Sequence, residues 1–386
     1  MKNNTVKTKF YTFGDADDAR PFVLENGERF GPVTLAYETY GELNEARDNG
    51  ILLFHALSGS QHAAGYNPEL PEAGYYWTEE CYTGWWDDFI GPGKALDTDR
   101  FFVVCANWLG GCYGTTGPSS INPDTGRPYG GSFPAVRTND IVDSQMRLLD
   151  HLGIVSLHAV VGSSLGGMFA LNLSVRYPER VRMAVIIASG LDVSVLQRLH
   201  SFEQIRAIEM DSAFNGGDYY DGEGPVEGLA LARMISHKTF VSLSALQRRA
   251  RRDVSMPEAS QGFYQVNHPV ESYMLYQGHK FARRFDANSY LRIVDTWQHF
   301  DLLAETGAKG LTELFSRCRE LRFLVFSIDS DVCFYPEDQS DLVGVLHEAG
   351  VPCQHVTVHS EKGHDAFLLQ SELFTPHLDY TLREQW

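Results

Sequence analysis

The sequence is short of positive charge and lacks several marks of other protein classes. Against 50 acidic residues it has 32 Lys and Arg, a formal net charge of −18, which opposes binding to nucleic acid or to an anionic membrane face. Small substrates are not excluded, because a few local arginines suffice to hold an anion. Cys81, Cys105, Cys112, Cys318, Cys333 and Cys353 show no C-x-x-C spacing, so neither a zinc cage nor a disulfide framework is indicated. Most of them read as small buried hydrophobes, and no metal is expected. Met1 to Tyr11 is polar, without an apolar stretch long enough for a signal peptide or membrane span, so the expected location is the cytoplasm. There is no repeat or low-complexity tract. The one basic cluster, Arg248, Arg249, Arg251 and Arg252, reads as a solvated helix face.

What is present is an alternating strand and helix pattern. At 386 residues the chain exceeds a usual single domain enough to suggest one core plus an insertion. Residues 20 to 42 alternate around turns at Asn26-Gly27 and Gly31-Pro32, which predicts a hairpin or small antiparallel sheet. Apolar strands follow at Ile51 to Ala56, Phe101 to Ala106, Leu157 to Val161, Met183 to Ala188 and Phe323 to Ser327, with helices such as Asp140 to Leu152 between them. This is the signature of a doubly wound, mostly parallel α/β sheet. From 190 to 318 the strand signals stop and helical stretches succeed one another: Val193 to Asp211, Pro225 to Phe240, Ser244 to Arg252, Pro269 to Arg284 and Ala287 to Leu303. They predict a helical lid inserted into a core formed by 1–189 and 319–386, with a last strand at His355 to Val358.

The chemistry centres on Gly162-Ser163-Ser164-Leu165-Gly166, a G-x-S-x-G turn between a buried strand and a helix expected from Gly167 to Tyr177. That is the setting of a nucleophile elbow, with Ser164 at its apex. A serine hydroxyl needs a base in reach and a carboxylate to fix the tautomer of that base. In this fold the order is Ser, Asp, His. Asp331 follows the strand Phe323 to Ser327, with Asp329 and Asp338 as competitors, and His364 follows the last strand. The oxyanion needs two backbone N–H groups. Leu165, after the nucleophile, is one; Leu57, in the loop His55-Ala56-Leu57-Ser58-Gly59, is the other.

Longer motifs carry a resemblance. His55 to Gly59 with His62-Ala63-Ala64-Gly65, Gly84-Trp85-Trp86-Asp87, Ile90 to Lys94, and the run Asn107 to Pro123 are similar to the homoserine O-acyltransferases of methionine synthesis. So are Leu231-Ala232-Arg233-Met234, Tyr276-Gln277-Gly278 through Phe285-Asp286-Ala287-Asn288-Ser289-Tyr290, and Gly363 to Leu368. The resemblance spans about residues 30 to 370. It implies an α/β-hydrolase fold, a triad of Ser164, Asp331 and His364, and a ping-pong transfer from acyl-CoA, with no bound cofactor. It also implies a homodimer packed through lid helices. Arg233 and Asp365 match the family positions that hold the carboxylate and ammonium of the amino-acid acceptor, although alone Arg233 would read as a surface residue and Asp365 as a capping one.

Two departures stand out. Ser163 and Leu165 replace the family's usual Gly and Met at the elbow, leaving the turn glycines intact. Cys333, two residues after Asp331, stands where succinyl-using members tend to carry Arg and acetyl-using members Leu. A desolvated carboxylate without a cation costs several kcal/mol, so the expected donor is acetyl-CoA. Homoserine and serine differ by one methylene and both stay open as acceptors. The competing readings are succinyl transfer, an esterase or thioesterase with the same triad, and a non-catalytic hydrolase-fold binding protein.

Overall fold

The computed structural model describes residues 5–15, 17–70, 76–249 and 266–383. The strands are β1 (Lys9–Phe13), β2 (Val33–Tyr40), β3 (Gly50–Phe54), β4 (Ile90–Gly91), β5 (Leu96–Asp97), β6 (Phe102–Ala106), β7 (Leu157–Ser163), β8 (Met183–Ile187), β9 (Arg322–Ile328) and β10 (Cys353–Val358). Eight of them form one sheet in the order β1-β2-β6-β3-β7-β8-β9-β10, and β4 pairs with β5 apart from it. From β6 to β10 every pairing is parallel, whereas β2 joins both β1 and β6 antiparallel. The expected mostly parallel, doubly wound sheet is therefore present.

The central strands are apolar at successive positions because both faces are covered. Leu52, Phe54 and Val160 belong to one buried cluster, while Ile51, Leu53 and Val161 belong to the other. This follows from side chains alternating across a strand. The first cluster takes its cover from α1 (Thr138–Leu152), α2 (Leu165–Arg176) and the insertion; the second takes Phe374 and Leu378 of α12 (Ser371–Arg383).

Between β8 and β9 lie α3 (Val195–Glu209), α4 (Val226–Phe240), α5 (Leu243–Arg249), α6 (Pro269–Ala282), α7 (Ala287–Gln298), α8 (Leu302–Thr306) and α9 (Leu311–Phe315). Helix α4 packs between α3 and α6. After β9 come α10 (Pro336–Ala349) and, past β10, α11 (Ala366–Leu369). Among the described residues no helix is long and apolar enough to cross a membrane.

Several expectations are corrected. Of the hairpin or small antiparallel sheet expected within 20 to 42, the Asn26-Gly27 turn carries only one bridge, Val23 with Arg29, whereas β2 pairs antiparallel with β1 and with β6. That strand was hidden in the polar terminus because it is an edge strand whose first four residues are not buried. The single helix expected from Ala287 to Leu303 is two, since the Asp301 carboxylate accepts from the N–H groups of Leu303 and Ala304 and starts α8 anew. In the basic cluster Arg248 pairs with Glu361, while Arg251 and Arg252 lie outside the described residues.

Candidate active site

Ser164 stands between β7 and α2 with φ 55° and ψ −130°, a left-handed conformation that costs a non-glycine residue about 1–3 kcal/mol. Its backbone is held on both sides. Ser164 N–H donates to the Ile187 carbonyl at 2.9 Å, and its own carbonyl accepts from Gly167 N–H at 2.9 Å. The glycines around it leave no alternative: a Cβ on Gly162 would lie 2.2 Å from the Gly166 oxygen, and one on Gly166 would lie 2.4 Å from the His55 oxygen. Close strand-to-helix packing thus keeps the turn sharp and pushes the hydroxyl outward.

His364 Nε2 lies 2.7 Å from Ser164 Oγ, and its Nδ1 lies 2.6 Å from Asp331 Oδ2. The carboxylate faces Nδ1, so Nδ1 carries the proton and Nε2 is free to accept from the serine. Asp331 is fully buried. Its other oxygen accepts from the backbone N–H groups of Cys333 at 2.7 Å and Phe334 at 3.0 Å. Asp329 instead pairs with the exposed His359, and Asp338 lies in the first turn of α10. The three residues expected from chain order are those brought together here.

The electrostatics of His364 are a contest. Burial disfavours the imidazolium, but the charge and hydrogen bond of Asp331, with help from Asp365, outweigh it and raise the pKa above its ordinary 6.5. The ring stacks on Phe334 with centroids 5.6 Å apart and meets Phe367 edge-on at 5.3 Å. Both phenylalanines were missed by sequence reasoning, because an aromatic beside a histidine has no spacing signal. Trp86 Nε1 donates to the Phe367 carbonyl at 2.8 Å, which gives the Gly84 to Asp87 motif a structural task at the same loop.

Leu57 and Leu165 are both buried. Leu165 opens α2, where the first N–H groups have no helical partner,. Among the described residues neither N–H has a hydrogen-bond acceptor, as a pair of donors awaiting a charge would require. A Leu57 N–H would follow from the turn in which Gly59 N–H donates to the Ala56 carbonyl at 2.9 Å.

Arg233, on α4, has its guanidinium against the rings of Phe240 and Phe281, 5.0 and 4.9 Å from their centroids. Its Nη1 is buried and has no partner among the described residues. Burial, then the neighbouring Arg284, lowers its pKa, while Asp365 acts in the opposite sense. It lines a cavity of about 280 Å³ with Ser58, Gly59, Tyr113, Lys280 and Arg284. A buried cation left unpaired is costly, and an anionic group entering this cavity would relieve that cost.

Cys333 is buried, and its carbonyl accepts from Gln197 Nε2 of α3 at 2.6 Å. Burial pushes its thiol pKa well above the ordinary value, so it is an inert thiol here. It lines a small cavity beside Asp331 with Gln197, Ser236, Thr239 and Phe240, and no Arg or Lys belongs to that lining. All six cysteines are free, four of them buried. Among the described residues no His, Cys, Asp and Glu cluster could hold a metal ion.

An eight-stranded sheet with a strained serine elbow, a buried His–Asp pair and a helical insertion defines an enzyme of the α/β hydrolase fold, and the family model described by that name matches residues 51–370. Similarity at the sequence level is more specific. A homoserine O-acetyltransferase of Solidesulfovibrio magneticus is 44% identical over 94% of this chain and 89% of its own length. A homoserine O-succinyltransferase of Neisseria gonorrhoeae is 44% identical over 92% of this chain and 90% of its own. The crystal structure of homoserine O-acetyltransferase from Bacillus anthracis superposes with TM-score 0.86 at 28% identity, covering 99% of this chain and 98% of that one. The chain belongs to the homoserine O-acyltransferase family.

Proposed function

We propose that this chain is a homoserine O-acetyltransferase that moves the acetyl group of acetyl-CoA to the hydroxyl of L-homoserine through an acyl-enzyme on Ser164. His364 takes the serine proton as Oγ attacks the thioester carbon; the carbon–sulfur bond breaks and CoA leaves with that proton. Leu57 and Leu165 N–H groups hold the oxyanion, and Asp331 stabilises the transient imidazolium. In the second half His364 takes the proton of the acceptor hydroxyl as its oxygen attacks the acyl carbon; the new ester bond forms, the ester bond to Ser164 breaks, and His364 returns the proton to Ser164 Oγ. Water competes at this step. Transfer prevails only if the acceptor is held in near-attack geometry, which supplies effective molarities of about 10⁵ M or more.

The observation that carries the reading is the buried Nη1 of Arg233, without a partner among the described residues, on a guanidinium whose neighbour Phe240 also packs against the His364 ring and which interacts with the charge of Asp365. A hydrolase needs no such cation, whereas an amino acid presents a carboxylate to it and an ammonium to Asp365. Replacing Arg233 by Ala is expected to lower kcat/KM for homoserine by about 100-fold, or about 2.7 kcal/mol. The burst of CoA release that reports acyl-enzyme formation stays within a few-fold. Equal losses in both halves would move Arg233 to the donor or to the fold.

For the donor, equal identity to acetyl- and succinyltransferases does not discriminate. A lining around Cys333 that holds no Arg or Lys among the described residues favours the neutral acetyl group,. The test is kcat/KM for acetyl-CoA and succinyl-CoA, each against L-homoserine and L-serine, with O-acyl amino acid separated from free acid. Wild type is expected to prefer acetyl-CoA by at least about tenfold, 1.4 kcal/mol, and Cys333→Arg to narrow that ratio. A wild type preferring succinyl-CoA overturns the donor assignment and leaves the triad standing.

Residues 190–318 would act as the lid and 1–189 with 319–386 as the core. Exposed Val195, Leu199 and Phe202 share one face of α3, which supports a homodimer through the lid. Six free thiols fit a reducing cytoplasm,.

A further inference from the structure

We infer that Arg284, a lid residue just past α6, is a positioning residue that sets the Leu57 N–H, and so couples the lid to stabilisation of the oxyanion. The inference rests on the reading of Leu57 as an oxyanion donor. Arg284 is about four-fifths buried, with a side-chain exposure of 20%. Its Nη1 donates to the Ser58 carbonyl at 3.3 Å and to Tyr113 Oη at 2.9 Å, while Tyr113 O–H donates back to the Arg284 carbonyl at 2.6 Å. Glu80 lies beside its Nε at 3.8 Å. The guanidinium is thus fixed in place before it reaches the loop.

The loop it reaches is held from two other directions, both in the core. His55 stacks on Trp108 with centroids 4.0 Å apart. Trp85 Nε1 donates to the Ser60 carbonyl at 2.9 Å. Between these anchors the turn Ala56 to Gly59 carries the Leu57 N–H at one corner and the Ser58 carbonyl at the next. A charge-assisted bond to that carbonyl fixes the tilt of the turn, and only Arg284 supplies one from the insertion among the described residues. Arg284 has no hydrogen bond to the serine or the histidine among the described residues, and its route to the oxyanion is the Ser58 carbonyl, apart from its place in the cavity lining beside Arg233. A donor displaced by about 1 Å can cost on the order of 100-fold in rate. Both bonds leave from Nη1, whose two N–H groups are fixed in the guanidinium plane; lysine keeps the charge but its freely rotating ammonium does not fix those two directions.

The experiment uses the full chain as wild type, Arg284→Lys and Tyr113→Phe. For each, three quantities are measured: the rate of acyl-enzyme formation at saturating acetyl-CoA, the KM for homoserine, and the Kd of a short alkylboronic acid, which becomes tetrahedral on the serine. Arg284→Lys is expected to slow acylation by roughly 10- to 100-fold and to weaken the boronate by a similar factor, with an unchanged melting temperature; because Arg284 also lines the cavity of Arg233, KM for homoserine is measured separately to report that contact. Tyr113→Phe, which loosens the guanidinium but keeps it, is expected to fall between. A purely structural role would lower the melting temperature and leave boronate affinity per folded molecule unchanged, and that result overturns the inference. So does a loss confined to the KM for homoserine. If Arg284→Lys does not fold, unchanged acylation and boronate affinity in Tyr113→Phe overturn it alone. A wild type that transfers acetyl groups yet binds no boronate removes the oxyanion reading itself, and the inference with it.

Discussion

With Ser164 replaced by Ala, acetyl transfer is expected to fall by about 10⁶-fold, the scale seen when a hydrolase-type triad loses its nucleophile. No other group is placed to take over. Ser164 Oγ, at 2.7 Å, is the group from which His364 Nε2 accepts, and a histidine without that hydroxyl could only take a proton from water. The fold should persist, because the hydroxyl makes no other bond than this one and the backbone bonds to Ile187 and Gly167 are independent of it. Alanine keeps the strained φ of 55°, so its melting temperature should shift by no more than a few degrees. Incubation with labelled acetyl-CoA marks wild type only; label retained by the variant on another residue would overturn the assignment.

The second large effect is that of Asp331→Asn, expected to lower kcat by about 10⁴-fold with little change in KM. An amide can present its NH₂ to Nδ1 of His364, which moves the ring proton to Nε2 and removes the acceptor that Ser164 needs. The pH profile supplies an independent reading. As the proposed base His364 would act in its neutral form, and its pKa lies above 6.5, held there against burial mainly by Asp331. In wild type, acylation therefore rises with pH through a midpoint above 6.5. In Asp331→Asn the main raising influence is gone and the midpoint moves down. Stability runs the other way. A folded pKa above the unfolded one means that the His364–Asp331 pair contributes stability that is full below about 6.5 and is lost as pH rises through the folded value. An unchanged midpoint in the variant would mean that Asp331 does not set the charge of His364.

What the sequence made legible follows a physical rule. Strands buried on both faces, such as Leu157 to Ser163 and Met183 to Ile187, read as apolar runs wherever they stand. The elbow was legible because glycine is required at 162 and 166 by contacts under 2.5 Å, and Asp331 and His364 because they follow strand ends. Edge strand β1 was not, since half of its surface faces water and its alternation is diluted by Lys9 and Thr12. Tyr113 and Arg284 were quoted only as parts of longer motifs. Their bond closes a separation of 171 residues, and no local periodicity records a pairing of that length.

The sheet order has a consequence for how the chain is made. Strand β8 ends at Ile187 and its parallel neighbour β9 begins at Arg322, with the whole helical insertion between them. As the chain leaves the ribosome, β8 presents a bare, apolar edge until the insertion and β9 have followed, and such an edge is a template for aggregation. The β8–β9 pairing is non-local, so the closure entropy of the connection is paid before the pairing rewards it. Asp331 follows β9 and His364 follows β10, so a nascent chain that stops short of them carries the serine elbow without the base and carboxylate proposed for it.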